Sequence, residues 1–487
     1  MFFSLLHLLD SITLTFMSIS CSRISSRRLL YTIHQAPNMD LKAPHHPFNF
    51  SQARKWHVII AGFIFIFNTT VGSSLPSGAA PTIAKEFGIP QGSITLVLLN
   101  SIYMVGFIFS PLVAGPLSET IGRRPVLRVS YSVYFLATLG CAVSPNYASI
   151  IIFRFIAGLG AAVPNALSAG LYTDILEDPR TRGKFLAIYM SLSGSGILVG
   201  PVISGFIAVN LGWRWVFWIG LIIAGVGLPV VISMPETYAP VILGCDGRDS
   251  AEKDLYKVIS QSGTWLRRPL VMLFTEATLF FTALYLSMVY ALQYLYFQAY
   301  PIIFGRIYHL DQDRIGLAYI PMIFGVFLAL VIFLLYGTYY DNAAKQEKSW
   351  TKSPEASRLP IACIGGPGMP LGLLALGLLA KPSISPVVAM IVPGVLSGTG
   401  YMLIFFAMLI YLSDVYQRYS ASAQAAASTM RSIMAVCLPF AAPSMYNDMG
   451  VKWASLTLAG ISGAMIAIPV CFLVFRERLN TRTAYAG

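Results

Sequence analysis

Charged side chains are scarce in this chain: Asp, Glu, Lys and Arg make up 11% of its 487 residues, whereas 56% are hydrophobic. A soluble fold of this length needs a polar shell, and there is too little charge to build one. Cysteine is also scarce. Cys21, Cys141, Cys245, Cys363, Cys437 and Cys471 have no paired or metal-type spacing, which argues against a disulfide framework and against a zinc site. Four of the six histidines, His7, His34, His45 and His46, fall near the start, so no cluster of His, Cys and carboxylate suggests a membrane-embedded enzyme. No Walker loop occurs, and no stretch outside the apolar runs could hold an ATP-binding domain. The net charge of +12 does not indicate nucleic acid, because the basic residues are scattered between apolar runs and form no basic arm or helix. No cofactor and no metal are implied.

What the chain has in abundance is long apolar runs. Twelve stretches, near 57–77, 95–115, 126–144, 148–172, 184–208, 213–234, 270–297, 316–337, 360–380, 386–411, 420–444 and 453–475, are each long enough to cross a hydrocarbon core, which takes about 20 helical residues. The longest polar gap follows the sixth. The expected fold is therefore an all-α membrane protein of twelve transmembrane helices in two six-helix halves, 57–234 and 270–475, around a central pathway. A linker at 235–269 joins them, and tails at 1–56 and 476–487 flank them. The first twenty residues are moderately apolar but diluted by Asp10, Ser and Thr, and read as an interfacial or disordered tail. Placing that tail in the cytoplasm puts fifteen Lys and Arg residues in inner loops against six in outer ones, so both termini and the linker are expected inside.

Several features bear on mechanism. In the fifth stretch, GSGILVGPVISG (194–205) sets Ser193, Gly196, Gly200 and Ser204 on one nearly bare helix face, a seam that admits a neighbouring backbone. Gly205 ends the seam, and Pro201 within it predicts a bend. The loop GPLSETIGRRPVLR (115–128) predicts a latch in which Glu119 pairs with Arg123 or Arg124. In the fourth stretch, Arg154, Gly158, Asn165, Ser168 and Tyr172 fall on one helical face, and an intramembrane arginine is expected to face a cavity. The alternative is an arginine bonded to backbone carbonyls. Glu276, low in the seventh stretch, is a candidate proton carrier or, alternatively, a partner of Arg267 or Arg268. Tyr290, Tyr294 and Phe297 form an aromatic stripe on the same ideal face as Glu276, suited to apolar or cationic organic molecules, with a lipid-facing belt as the alternative. Arg431, on a face with Gln424 and Ser428, is a second intramembrane cation that couples or braces.

These segments resemble the major facilitator superfamily: its second-to-third-span loop, its fourth-span arginine motif and the fifth-span motif associated with antiporters. WRWVFWI (213–219), PETYAPVIL (235–243), YALQYLYFQAYPIIF (290–304) and SASAQAAASTMRSIMAVCLPF (420–440) resemble more narrowly the fungal twelve-span drug:proton antiporters. The resemblance covers roughly 54–478. It implies a proton-coupled exporter of small, largely apolar organic molecules in the cell membrane, working as a monomer, with small-molecule substrate, protons and lipid as its partners. Arg154, Glu276, Glu119, Arg123, Arg124 and Arg431 are then the candidate coupling or gating residues. Asn165, Tyr290, Gln293, Tyr294 and Phe297 are the candidate substrate contacts. Three departures stand out. GCDGRD follows PETYAPVIL where a basic helix is usual, Ala277 stands after Glu276 where proline is common and predicts a straighter inner end, and PEASRLP is one residue longer than usual. The rival readings are a nutrient, sugar or polyamine porter and a non-transporting sensor of the same fold.

Overall fold

Helices in a bilayer gain nothing by expelling water from between them, so they associate through close van der Waals contact across small residues. That contact organises this bundle. The structure, a computed structural model, describes residues 46–474 apart from 91–92, 244–267, 349–357 and 417–418. Most of the N-terminal tail, most of the linker, Arg267 and the C-terminal tail thus lie outside the described residues, as does the side chain of Ser168.

Twelve transmembrane helices run in order: α1 (Gln52–Ser74), α2 (Ile94–Ile121), α3 (Arg123–Ala142), α4 (Tyr147–Ala161, resumed as Val163–Ile175), α5 (Pro179–Asn210) and α6 (Trp213–Ser233) form the first half. The second half comprises α7 (Ala277–Ile307), α8 (Ile320–Lys345), α9 (Leu359–Gly365, resumed as Gly368–Leu379), α10 (Pro386–Val415), α11 (Ser420–Asp448) and α12 (Gly450–Ala464, resumed as Ala467–Val474). Eleven of these are long and apolar enough to span a membrane by composition alone. The other, α3, opens with Arg123, Arg124 and Arg128, which depress its hydropathy. It still has 20 residues, enough to carry the chain back between α2 and α4.

Within the first half α1 packs on α5, α2 on α4 and α3 on α6; in the second, α7 packs on α11, α8 on α10 and α9 on α12. The halves meet through α2 with α11 and α5 with α8. Position in the bundle follows composition. The most apolar window of α7, with its serines, threonines and tyrosines, is 83% buried, while that of α12 is 28% buried and turns its apolar side chains outward to lipid.

The seam of α5 closes on α1. A side chain at Gly196 would strike Thr70, one at Gly200 would strike Ser74, and the Gly78 amide donates to Ser204 Oγ at 3.1 Å. The outer end of the same seam meets the other half, where Gly205 lies against the Gln312 carbonyl and Pro201 against Gly316. α5 runs as helix from Pro179 to Asn210 with Pro201 inside it. One expectation about helix shape changes. The inner end of the seventh span is interrupted, not straightened: a helical stretch at 268–275 stops at Glu276, whose extended backbone (φ −102°, ψ 104°) precedes the start of α7 at Ala277.

Gly158 of α4 touches the backbone of Tyr103 in α2, and Gly106 of α2 touches the backbone of Gly158 in return. Backbone cannot rotate aside as a side chain can, so Gly158→Val should force the two helices apart at a cost of about 1–3 kcal/mol or more. The expected outcome is a lower melting temperature of the purified protein. Gly183→Ala, where nothing stands within 4 Å, should leave it unchanged or slightly higher. Equal melting of both variants would contradict this packing.

Candidate functional site

Arg154 projects from α4 into the first half and is 3% exposed. Its Nε donates to the Leu99 carbonyl at 2.9 Å, Nη1 to the Gly72 carbonyl at 2.5 Å and Nη2 to the Ser73 carbonyl at 2.7 Å. The guanidinium also lies 4.4 Å from the ring centroid of Tyr103, whose hydroxyl donates to the Thr69 carbonyl. The local sequence explains why carbonyls are available here. Pro76 has no N–H to return to Gly72 four residues earlier, and α1 gives way to a 3-10 turn at Leu75–Ala79. Each charge-assisted bond contributes about 1.5–3 kcal/mol, so three together are comparable with the several kcal/mol that burying a guanidinium costs. Arg154 has the geometry of the alternative reading, bonded to backbone carbonyls.

α4 has a one-residue break at Ala162, which keeps right-handed helical angles (φ −78°, ψ −19°), with Pro164 in the first turn after it. Tyr172 packs against Gly62, Phe63 and Tyr189, inside the first half, whereas Asn165 is half-buried just beyond the break.

The aromatic stripe of α7 faces the interior, not lipid: Tyr290, Tyr294 and Phe297 are 6%, 2% and 2% exposed. Tyr290 and Tyr294 rings lie 5.3 Å apart and Tyr294 and Phe297 rings 5.4 Å apart. The Tyr294 hydroxyl shares a 3.1 Å hydrogen bond with Ser73 Oγ of the opposite half and a 3.4 Å one with the Tyr290 hydroxyl. A continuous path therefore runs from Arg154 through Ser73 and Tyr294 to Tyr290. Beyond Tyr290 stands Arg431 of α11, its guanidinium 5.1 Å from the ring centroids of both Tyr290 and Phe405. Gln293, on the same side of α7, is 1% exposed, and neither atom of its amide has a hydrogen-bond partner among the described residues. Tyr401 and Met402 of α10 complete this region against Gly194 of α5.

Glu276 stands apart from the stripe. It is buried at the break below α7, where it accepts a 3.3 Å bond from the Tyr416 hydroxyl, and helical rise puts it about 21 Å from Tyr290. The break removes it from the helix on which a shared face was counted. Arg268 lies with its guanidinium 4.9 Å from the ring centroid of Tyr419.

The latch between α2 and α3 forms with other partners than expected. Glu119 is exposed at the end of α2, and Arg123 instead donates through Nε to Asp174 of α4 at 3.0 Å and through Nη1 to Ser118 at 2.9 Å. Gly122, at φ 98°, turns the chain so sharply that Arg123 crosses to α4, with its guanidinium against Gly170. Glu236 caps the start of α3, accepting the Arg123 and Arg124 amides at 2.9 and 3.0 Å, and a Cβ on Gly122 would collide with that carboxylate. Arg124 thus contributes its backbone to the latch, and its Nε has no partner among the described residues. Sequence reasoning overlooked Asp174, two residues after Tyr172, and Glu236, inside PETYAPVIL. It also missed Ser73 and Phe405, for which no local signal exists. At the opposite end Glu86 accepts from Trp213 Nε1 and Arg214 Nη1, at 2.5 and 2.6 Å.

A bundle of twelve membrane helices whose halves meet on a buried polar and aromatic path has the architecture of a membrane transporter of small molecules. Residues 58–436 match the family model of the Major Facilitator Superfamily, and the chain belongs to that superfamily. It is 32% identical over 450 residues to "Efflux pump FUB11" of Gibberella moniliformis, covering 89% of this chain and 74% of that protein. It is 33% identical over 451 residues to "MFS-type transporter atr4" of Stereocaulon alpinum, covering 90% and 80%. A third relative, "MFS-type efflux pump MFS2" of Trichophyton rubrum, is 31% identical over 458 residues, covering 91% and 76%.

Two outcomes follow from this geometry. Arg154→Ala leaves the Leu99, Gly72 and Ser73 carbonyls without their charged donor, so the variant should insert yet melt well below the wild type and lose transport, at about 1–3 kcal/mol per buried group left unpaired. Wild-type melting and transport in Arg154→Ala would show that the brace is dispensable. Asp174 lies beyond the apolar stretch 148–172, in the last turn of α4. Burial pushes its carboxyl up to about 6, against the opposing pull of Arg123. As pH falls through about 6 the carboxylate takes up a proton and the charge of its pair with Arg123 is lost. Transport should show an inflection there that Asp174→Asn abolishes, and a profile unchanged by that substitution would detach the latch from the pH dependence.

Proposed function

We propose that the chain exports small, largely apolar organic molecules, such as a drug, toxin or secondary metabolite, across the plasma membrane of a fungal cell in exchange for protons. The observation that carries this reading is the buried aromatic stripe at the junction of the halves, where Tyr294 bonds to Ser73 across the interface. A site assembled from both halves opens to either side when one half rocks against the other. Flat aromatic faces and phenolic hydroxyls bind apolar bodies without a fixed hydrogen-bond pattern, which suits export of varied compounds more than uptake of one sugar. Two of the relatives described above are named efflux pumps, which supports the outward direction.

In this reading Asn165, Tyr290, Gln293, Tyr294 and Phe297 contact substrate, and Glu276 carries the proton. Arg154 and Arg431 hold the interface network, Glu119, Arg123 and Arg124 belong to the inner latch, and Gly196, Gly200, Pro201 and Gly205 form the pivot. The protein acts as a monomer with the linker and both tails in the cytoplasm.

The test is efflux of preloaded labelled compounds from a fungal strain stripped of its own exporters. Expression should deplete the cells, a protonophore should abolish the depletion, and Tyr294→Ala should reorder the exported compounds at equal membrane abundance. Accumulation of substrate on expression would establish the nutrient porter instead, and no movement of any compound would favour the sensor.

A further inference from the structure

The two buried arginines are satisfied very differently. Arg154 gives its donors to three carbonyls within 2.9 Å. Arg431, 8% exposed in the second half, makes one hydrogen bond among the described residues, a long one of 3.4 Å from Nη2 to Ser428 Oγ, and no carboxylate of the described residues stands within 4.0 Å of it. The rings of Tyr290 and Phe405 position the guanidinium through its face, but ring quadrupoles neither neutralise a charge nor accept the in-plane N–H groups. A buried cation left with most of its donors idle is costly unless an anion arrives to use them. On the neighbouring helix the amide of Gln293 is 1% exposed and lacks a partner on both its nitrogen and its oxygen. Idle donors thus stand beside a stripe of aromatic surface.

We propose that Arg431 is the anion-binding subsite of the transport pathway, and that the preferred cargo is an organic acid with a carboxylate on a flat apolar body. The carboxylate takes two parallel N–H bonds from the in-plane edge of the guanidinium, which a planar fork matches and an ammonium does not. The body lies along Tyr290, Tyr294 and Phe297, and Gln293 supplies a further hydrogen bond. The sign of the charge matters. A cationic substrate, which the aromatic stripe alone would have admitted, is repelled by Arg431, and no described carboxylate beside it offsets that repulsion. This inference rests on the reading of the aromatic stripe as the substrate site and narrows its substrate class.

The test uses the purified full-length protein with tritiated naphthoate and its uncharged counterpart naphthamide, alongside efflux of both from preloaded cells. Wild-type protein should bind naphthoate about tenfold or more tightly than naphthamide. Arg431→Gln should erase that preference by losing naphthoate affinity alone, and Arg431→Lys should retain part of it. Unchanged naphthamide affinity shows in the same sample that the variants are folded. Equal binding of acid and amide by the wild type, a preference that survives in Arg431→Gln, or binding of neither compound overturns the subsite. Arg431-dependent binding of naphthoate without efflux leaves the subsite standing and overturns the export reading.

Discussion

A backbone carbonyl without a donor is expensive inside a bilayer, and the first half is built around two that α1 cannot satisfy by itself. Pro76 ends the ordinary ladder of α1, and Arg154 arrives from α4 to take the Gly72 and Ser73 oxygens while also holding Leu99 on α2. One side chain thereby ties three helices at a single level of the membrane. The approach that brings it close enough depends on Gly158 touching the backbone of α2 one turn further along α4. Without the close approach at Gly158 the arginine would lose these partners and become an uncompensated charge in a low dielectric.

In this arrangement Arg154 gives its donors to backbone carbonyls. A hydrogen-bonded link to the other half runs through Ser73, whose carbonyl Arg154 holds and whose hydroxyl meets Tyr294. That contact between halves is a single hydrogen bond between hydroxyls, a link worth little net energy and therefore easily broken when the halves move. The apolar packing of α5 on α1 behind it is far more extensive, which keeps each half intact. The halves also pack closely elsewhere, α2 on α11 and α5 on α8, so this bond is one of several contacts that must part when one half rocks against the other.

The ends of the first half use polar chemistry of a different kind. At the latch end Asp174 and Glu236 divide the work on Arg123, one taking the side chain and the other the backbone amide. At the opposite end Glu86 binds the indole of Trp213 and the guanidinium of Arg214 together. The Glu86 pair with Arg214 is about two-fifths exposed on each side, so it orients the loops more than it stabilises them.

Much of the architecture was legible in the chain alone, because hydrophobic length and small-residue spacing are local properties. Twelve apolar runs, the seam from Gly196 to Gly205 and the inward stripe of Tyr290, Tyr294 and Phe297 could each be read within one helix. What failed was an inference across a break in backbone geometry: the extended residue Glu276 separates that acid from the stripe. Partner choice was equally out of reach. Glu119 lies nearer to Arg123 in sequence than Asp174 does, yet the positive φ of Gly122 decides that the arginine crosses to α4. The sequence by itself determined a twelve-helix transporter and its polar residues in the membrane. Only the tertiary structure decided that Arg154 is consumed by backbone while Arg431 keeps its donors idle, since hydrogen-bond satisfaction depends on atoms brought together from distant parts of the chain.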